Sequence, residues 1–387
     1  MVISEWESSA FKRALAEAVA ADAMVALANP DWMSQERAQF DRLVQMTPTP
    51  WDTEHGWLLI PTGGSSGKTK LARHDQSTLA AAVRGFCAHF NHGEVNAMGV
   101  LPLYHVGGLM GWLRCVYTGG THIDVDWTGL MEGGGPKVDL ESPVTSLVPT
   151  QLVRLLRMEA GRDWLRQFDQ ILIGGGPAWQ TLRREARELG IRLAPSYGMT
   201  ESAAVVAALR ADEFLAGANG VGTLLPHVKV TVGETGGIEL EGASLFHGYW
   251  PDAVIDGRWP TGDWGSYDDA GRLHIGGRVD ALIISGGEKI DPVEVETVWR
   301  ESSEMSQVAV VGVPDDDWGQ RVVACYPAGQ DLFDETAVRQ AMAGRLARFK
   351  QPKNFVMIAP WPENAMGKVN RAELKKLAMK RLASAGN

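Results

Sequence analysis

Cysteine is scarce in this chain. Cys87, Cys115 and Cys325 are the only three in 387 residues, far apart and odd in number, which suggests neither a disulfide framework nor a cysteine-based metal site. A reducing cytoplasm is the compartment that follows. There is also no Lys/Arg-rich block to offset the formal net charge of −10, and this argues against a nucleic-acid partner. Long apolar runs are missing as well. The alanine-rich stretch from Leu15 to Ala28 is broken by Glu17 and Asp22, so it reads as an amphipathic surface helix and not as a signal core or a membrane span. What remains, 45% hydrophobic and 22% charged residues, is the composition of an ordinary globular protein. The length leaves room for a large core plus a smaller unit, and an acidic chain can still bind polyphosphate through a locally positive loop.

Such a loop is present. The apolar run Trp57-Leu58-Leu59-Ile60 and a proline lead into Thr62, Gly63, Gly64, Ser65, Ser66, Gly67, Lys68, Thr69 and Lys70. Glycines let backbone N–H groups approach a polyanion, hydroxyls add short donors, and lysines supply charge without fixed geometry. A mononucleotide loop of the G-x-x-x-x-G-K-[ST] kind needs glycine five places before Gly67, and Thr62 stands there. On its own, the stretch fits a solvated turn as well as a phosphate site.

From Ser77 to about residue 208, helix-length segments alternate with apolar strands, the pattern of parallel α/β layers. Strand Met98 to Leu103 runs into Tyr104, His105, Gly107 and Gly108, and Ile171 to Ile173 into Gly174, Gly175, Gly176 and Pro177. After the short strand Ile191 to Ala194 come Ser196, Tyr197, Gly198, Met199, Thr200 and Glu201. A hydroxyl beside a carboxylate at a strand end suits magnesium and phosphate, because Mg²⁺ takes oxygen ligands and few protein carboxylates. His89 and His92 have no third ligand nearby and read as surface residues. From Gly220 to Trp250 the pattern changes to short antiparallel strands. Asp263 follows in a Thr-Gly-Asp turn, then Arg278 and Asp280, the Gly286-Gly287 loop, a compact α+β unit of about a hundred residues, and Lys368 in a glycine turn near the end.

The order hydroxyl, small, Gly, hydroxyl, hydroxyl, Gly, any, any, Lys from Thr62 to Lys70, followed by a complete Tyr-Gly-x-Thr-Glu string at 197–201, resembles the adenylate-forming superfamily of acyl-CoA ligases, luciferases and adenylation domains. Thr69 replaces the family's usual proline. The resemblance implies a large N-terminal domain, residues 1–279, of parallel α/β layers with a small antiparallel part, and a mobile α+β domain, residues 280–387. It assigns ATP phosphates to the Thr62–Lys70 loop and adenine to the wall at Gly174–Pro177, and counts Ser196, Tyr197 and Gly198 among the nucleotide-binding residues. Asp263 takes the ribose hydroxyls, Arg278 the ribose and phosphate, Thr200 and Glu201 the phosphates and Mg²⁺, and His105 the acyl pocket. Lys368 drives adenylation; rotation about Asp280 then brings Gly286 and Gly287 to the CoA arm. Ala281 stands where relatives often carry a second hinge acid, and fewer residues precede the loop than in most relatives.

Within the superfamily, the Pro-Leu-Tyr-His-Val-Gly-Gly segment and Val148-Pro149-Thr150-Gln151-Leu152 look most like o-succinylbenzoate:CoA ligases of menaquinone and phylloquinone synthesis. That acid is a dianion, which makes Arg114 a candidate partner; the simpler reading puts Arg114 on a solvated helix face. A medium-chain or aryl acyl-CoA ligase, or an adenylation enzyme loading a carrier protein, would share the nucleotide residues. The implied partners are therefore a carboxylic acid, ATP and CoA, with no nucleic acid, no membrane insertion and room for a homodimer.

Overall fold

The computed structural model describes residues 1–46, 56–63, 69–252, 254–303, 305, 307–329, 334–363 and 369–385. The chain opens with β1 (Val2–Ile3), α1 (Ser8–Ala20), β2 (Val25–Leu27) and α2 (Ser34–Gln45). The stretch from Leu15 to Ala28, expected as one surface helix, divides in two. The helix stops at Ala20, Asp22 turns the chain with φ 50°, and Val25 to Ala28 are at most 2% exposed. Four consecutive buried residues suit a strand covered on both faces, and here β2 runs parallel between β1 and β3 (Leu58–Gly63). An antiparallel neighbour, β4 (Thr69–His74), follows.

The central layer begins with α3 (Gln76–Phe90), whose first turn is capped by Asp75: its carboxylate accepts from the Thr78 backbone N–H at 2.8 Å. Then come β5 (Ala97–Gly99), α4 (Val106–Thr118), β6 (His122–Asp124), α5 (Trp127–Gly133), β7 (Val144–Leu147), α6 (Pro149–Leu156), α7 (Glu159–Leu165), β8 (Gln170–Ile173), α8 (Gln180–Glu188), β9 (Leu193–Met199), β10 (Ala204–Ala208), α9 (Ala211–Leu215) and β11 (Thr223–Leu224). They build a seven-stranded sheet in the order β11-β10-β9-β8-β7-β5-β6, parallel from β6 to β9 and antiparallel beyond. Every residue of β8 is buried, as a strand with helices on both faces requires. Under α6 to α9 the core packs Trp164, Phe168 and Phe214, each at most 1% exposed. His89 and His92 are not surface residues. His89 is 5% exposed with Nε2 on the Ala208 carbonyl at 3.0 Å, and His92 lies past the helix end, stacked on Phe86. Burial lowers both pKa values below the ordinary histidine range.

Antiparallel strands complete this part: β12 (Val228–Val232), β13 (Gly237–Gly242), β14 (Tyr249–Trp250), β15 (Arg258–Tyr267) and β16 (Leu273–Arg278). β14 closes the first sheet beside β4, and the others form a sheet ordered β12-β13-β15-β16. One turn of 3-10 helix at Val279–Ala281 leads to β17 (Ile283–Ser285), β18 (Glu288–Ile290) and α10 (Pro292–Ser302), which is capped by Asp291 and has proline in its first turn. Next are β19 (Ala309–Asp315), β20 (Gly319–Pro327), α11 (Glu335–Ala343), β21 (Asn354–Ile358) and α12 (Arg371–Ala385). Helix α11 stops at Ala343, where Gly344 follows, and a separate turn forms at Arg348–Lys350. In this unit the Glu296 carboxylate is buried between Arg371 at 2.6 Å and Arg300 at 3.4 Å. Arg300 also stands 5.1 Å from the ring centroid of Trp179, between β8 and α8. All three cysteines are free, and no helix among the described residues is long and apolar enough to cross a membrane.

Candidate active site

The glycine loop joins an antiparallel pair. Thr62 faces Lys70 and Gly63 faces Thr69 across β3 and β4; Gly64, Ser65, Ser66, Gly67 and Lys68 lie outside the described residues. On the other side of β4, Tyr249 is in register with Ala72. Its ring centroid lies 4.4 Å from the Lys70 ammonium, and its hydroxyl donates to Glu201 Oε1 at 2.5 Å. One aromatic ring thus links a cation of the loop strand to the carboxylate expected to serve magnesium. Burial first, then the Glu201 carboxylate, raises the pKa of the Tyr249 phenol, so it stays a donor.

Glu201 is 7% exposed and sits in a 3-10 turn over Thr200–Ser202. The motif does not simply follow its strand as expected: Ser196, Tyr197, Gly198 and Met199 lie within β9. Gly198 is needed there, because a Cβ would stand 1.8 Å from the Ala204 carbonyl oxygen on the returning strand. Ala203 and Ala204 both take positive φ, 51° and 80°, a strained corner for alanine. His74 pins this corner to the loop strand, with Nε2 2.8 Å from the Thr200 carbonyl. Burial lowers its pKa to about 4, so near neutral pH the ring is uncharged, with its proton on the nitrogen that faces that carbonyl.

A second chain of contacts runs from β9 to Asp280. Tyr197 donates to Asp263 Oδ2 at 2.6 Å, and Asp263 Oδ1 lies 3.5 Å from Arg278 Nη1. Arg278 grips Asp280 with two bonds of 3.0 and 3.1 Å and donates to the Thr261 carbonyl at 2.8 Å. The hydrogen bond to Asp280 is the main cause of its raised pKa. Asp263 lies in strand β15 opposite Arg278, not in a turn as expected. Beside this chain, Gly174 faces the Ser196 hydroxyl, where a Cβ would come within 3.1 Å, while Gly175 turns with φ 75° and Gly176 has no neighbour within 4 Å of where a Cβ would point. With Pro177 they leave a wall almost free of side chains.

His105 is the N-cap of α4, and burial lowers its pKa to about 4. The Tyr104 ring, 1% exposed, lies 4.7 Å from it. Gly286 (φ 59°) and Gly287 (φ 85°) form the turn between β17 and β18, with the Gly286 N–H on the Trp318 carbonyl at 2.9 Å. Lys368 lies outside the described residues; on either side of 364–368, Glu363 pairs with Val369. His74 and Tyr249 escaped the sequence reading. The helix-length segment from Ser77 is visible in sequence, but the partners of His74 and Tyr249 lie 126 and 48 positions away.

Thr200 and Glu201 offer a hydroxyl and one carboxylate, a donor set that suits a phosphate-bound Mg²⁺; among the described residues no group of three or more His, Cys, Asp or Glu could hold a metal alone. Residues 3–250 match the family described as AMP-binding enzyme, and residues 294–368 match the AMP-binding enzyme C-terminal domain. The chain belongs to the AMP-binding enzyme family. This family member is 33% identical to a 2-succinylbenzoate–CoA ligase of Listeria monocytogenes over 344 residues, which are 84% of the chain and 71% of the relative. It is 31% identical to an indoleacetate–CoA ligase of Aromatoleum aromaticum over 353 residues, 84% of the chain and 68% of the relative. Among solved structures, an arginine-to-lysine variant of Escherichia coli MenE with bound OSB-AMS superposes with a TM-score of 0.78 at 27% identity, covering 97% of this chain and 87% of that one. The o-succinylbenzoate-CoA synthetase of Bacillus subtilis in complex with an acyl-adenylate intermediate shares the fold of this AMP-binding enzyme, with a TM-score of 0.76 at 23% identity over 91% of the chain and 82% of the other.

Proposed function

We propose that this AMP-binding enzyme is an acid:CoA ligase that makes an acyl-adenylate and then a thioester, with o-succinylbenzoate as its acid. In the first half a carboxylate oxygen of the acid attacks the α-phosphorus of ATP, and pyrophosphate leaves with the electrons of the broken P–O bond. Lys70 and the loop donors hold the phosphates, Glu201 is the carboxylate for the accompanying Mg²⁺, and Lys368 neutralises charge between the acid and the α-phosphate. Asp263 takes the ribose hydroxyls. Gly174, Gly175, Gly176, Pro177, Ser196, Tyr197 and Gly198 border the adenine, and neutral His105 lines the acyl side. In the second half the tail, residues 280–387, turns about Asp280 and presents Gly286 and Gly287. The CoA thiolate attacks the acyl carbon, and AMP leaves with the C–O electrons.

The meeting at Tyr249 of Lys70, over its ring, and Glu201, on its hydroxyl, carries this reading, supported by the 33% identity to a 2-succinylbenzoate–CoA ligase. The 31% identity to an indoleacetate–CoA ligase favours an arylacetic acid as a second reading. AMP release with CoA and a panel of acids separates the two: the higher kcat/KM is expected for o-succinylbenzoate, and a preference for indoleacetate would reverse the assignment. The free cysteines support a cytoplasmic protein; a homodimer is its proposed assembly.

Tyr249→Phe tests the first half through a residue that need not touch the substrates. It removes the donor that orients Glu201 and leaves the ring against Lys70. The magnesium concentration giving half-maximal adenylation is expected to rise about tenfold, the scale of lost support behind a metal ligand. Turnover of supplied acyl-adenylate should stay unchanged. An unaltered magnesium dependence would separate Tyr249 from the site.

A further inference from the structure

Helix α10 is the first long element after Asp280, and it packs on two elements that precede Asp280, strand β16 and helix α8. The two contacts lie at opposite ends of the helix. At its start, Asp291 caps α10 by accepting from the Val293 N–H at 2.9 Å, and its Oδ1 lies 3.1 Å from where a Cβ on Gly277 would stand. Bare backbone in β16 therefore lets this end of α10 come close. At the other end, the Arg300 guanidinium lies 5.1 Å from the ring centroid of Trp179.

Arg300 meets that ring already oriented. Its Nη2 donates to the Val308 carbonyl at 2.8 Å and to Glu296 at 3.4 Å, and the Glu296 carboxylate is fixed in turn by Arg371 at 2.6 Å and by the Val310 N–H at 2.8 Å. All of these partners lie after Asp280. The guanidinium is thus held by its own unit, on a side chain only 10% exposed, and little rotamer freedom is left to lose when an aromatic face covers it. Trp179 is fixed by the other unit. It is the N-cap residue of α8, its ring packs against the core that holds Trp164 and Phe168, and it stands two places after Pro177, at the end of the wall proposed to border adenine.

The two ends of α10 respond differently to a turn about Asp280. Asp291 sits beside Gly277, close to that pivot, and moves least. Arg300 is nine residues further on, about 13 Å along the helix. A cation attracts a ring only within about 6 Å, so a turn large enough to exchange the two faces of the tail carries Arg300 off Trp179.

We propose that Arg300 and Trp179 form a latch that holds the tail in this one orientation, and that the strength of the latch sets the balance between adenylation and thioester formation. The proposal rests on the two-step ligase reading above and deepens it, by naming a pair of positioning residues that act through the tail and touch neither substrate. One half-reaction uses the latched orientation. The other requires the latch to open, so a weaker latch costs the first and not the second.

The test compares wild type, Trp179→Leu, Trp179→Phe, Arg300→Gln and the Trp179→Leu/Arg300→Gln double variant in two single-turnover assays: acyl-adenylate formation from ATP and o-succinylbenzoate, and conversion of supplied acyl-adenylate to thioester with CoA. Trp179→Leu is expected to slow one half-reaction and to leave the other as fast as wild type or faster, shifting the ratio of the two rates about fivefold, the scale of one cation–π contact. Trp179→Phe keeps a weaker ring face and should shift the ratio less. Arg300→Gln, made on the other side of the contact, should shift it in the same direction as Trp179→Leu, and the double variant should go no further than either. An unchanged ratio in the folded variants overturns the latch and leaves the ligase reading standing. Equal losses in both halves would make Trp179 a support of the adjoining wall and overturn it too, as would shifts of opposite direction in Trp179→Leu and Arg300→Gln. Absence of acyl-adenylate from wild type removes the ligase reading for this acid, and the proposal with it.

Discussion

Replacing Lys368 by alanine is expected to lower the rate of acyl-adenylate formation by about a thousandfold, the scale seen when a donor aimed at developing charge is lost. Conversion of supplied acyl-adenylate to the thioester should change by less than about threefold, a difference well below the roughly 1.4 kcal/mol that a factor of ten represents. The asymmetry follows from the chemistry. Only the first half brings a carboxylate up to a polyphosphate and needs a cation between them; in the second half a thiolate attacks a neutral carbonyl and AMP is already a good leaving group. The segment is anchored on both sides: Glu363 pairs with Val369, the Asn370 N–H bonds the Pro362 carbonyl at 2.7 Å, and Gln307 donates to Glu363 at 3.0 Å. These contacts are made by described residues on either side of Lys368, so Lys368→Ala leaves them in place and the tail folded. Rapid-quench measurement of the two half-reactions reads the result, and equal loss in both would contradict the division of labour.

Replacing Gly287 by tryptophan is expected to do the opposite. Gly287 turns with φ 85°, and no atom lies within 4 Å of where a Cβ would point. A side chain there meets open space, at a backbone cost of about 1–2 kcal/mol for the left-handed conformation, which a folded tail domain tolerates. Gly286 is different, since a Cβ would sit 2.8 Å from the Trp318 ring, so Gly287 is the cleaner probe. If bare backbone at this turn forms the slot for the CoA arm, an indole there should slow thioester formation about a hundredfold, comparable to displacing reactants from attack geometry. Adenylate formation should stay within a few-fold of wild type. A mutant that loses adenylation and keeps thioester formation would show that the turn serves the other half-reaction.

Much of this was legible in the chain because the chemistry is carried by local strings. The alternation of strand and helix from Ser77 to about residue 208 indicated the parallel layers. The rest depended on distant contacts. β1 and β2, of two and three residues, are too short to show a period, and only their pairing to each other and to β3 makes them strands. Pro260 and Gly262 made the Asp263 stretch look like a turn, yet β15 absorbs both because its register shifts on each side of them. His89, His92 and Arg114 look solvent-facing by residue type, yet His89 is buried with Nε2 on the Ala208 carbonyl, Arg114 is buried against the Phe86 ring, and His92 is half-buried on the same ring.

The most direct test needs no CoA. Purified protein is incubated with ATP, magnesium, o-succinylbenzoate and radiolabelled pyrophosphate, and label entering ATP is counted. Label is expected to appear only when the acid is present, and to disappear in Lys368→Ala, because pyrophosphate exchange reports reversible adenylate formation at one nucleotide cleft. Exchange that proceeds without acid, or that requires CoA, would contradict a reaction divided into two chemically separate halves.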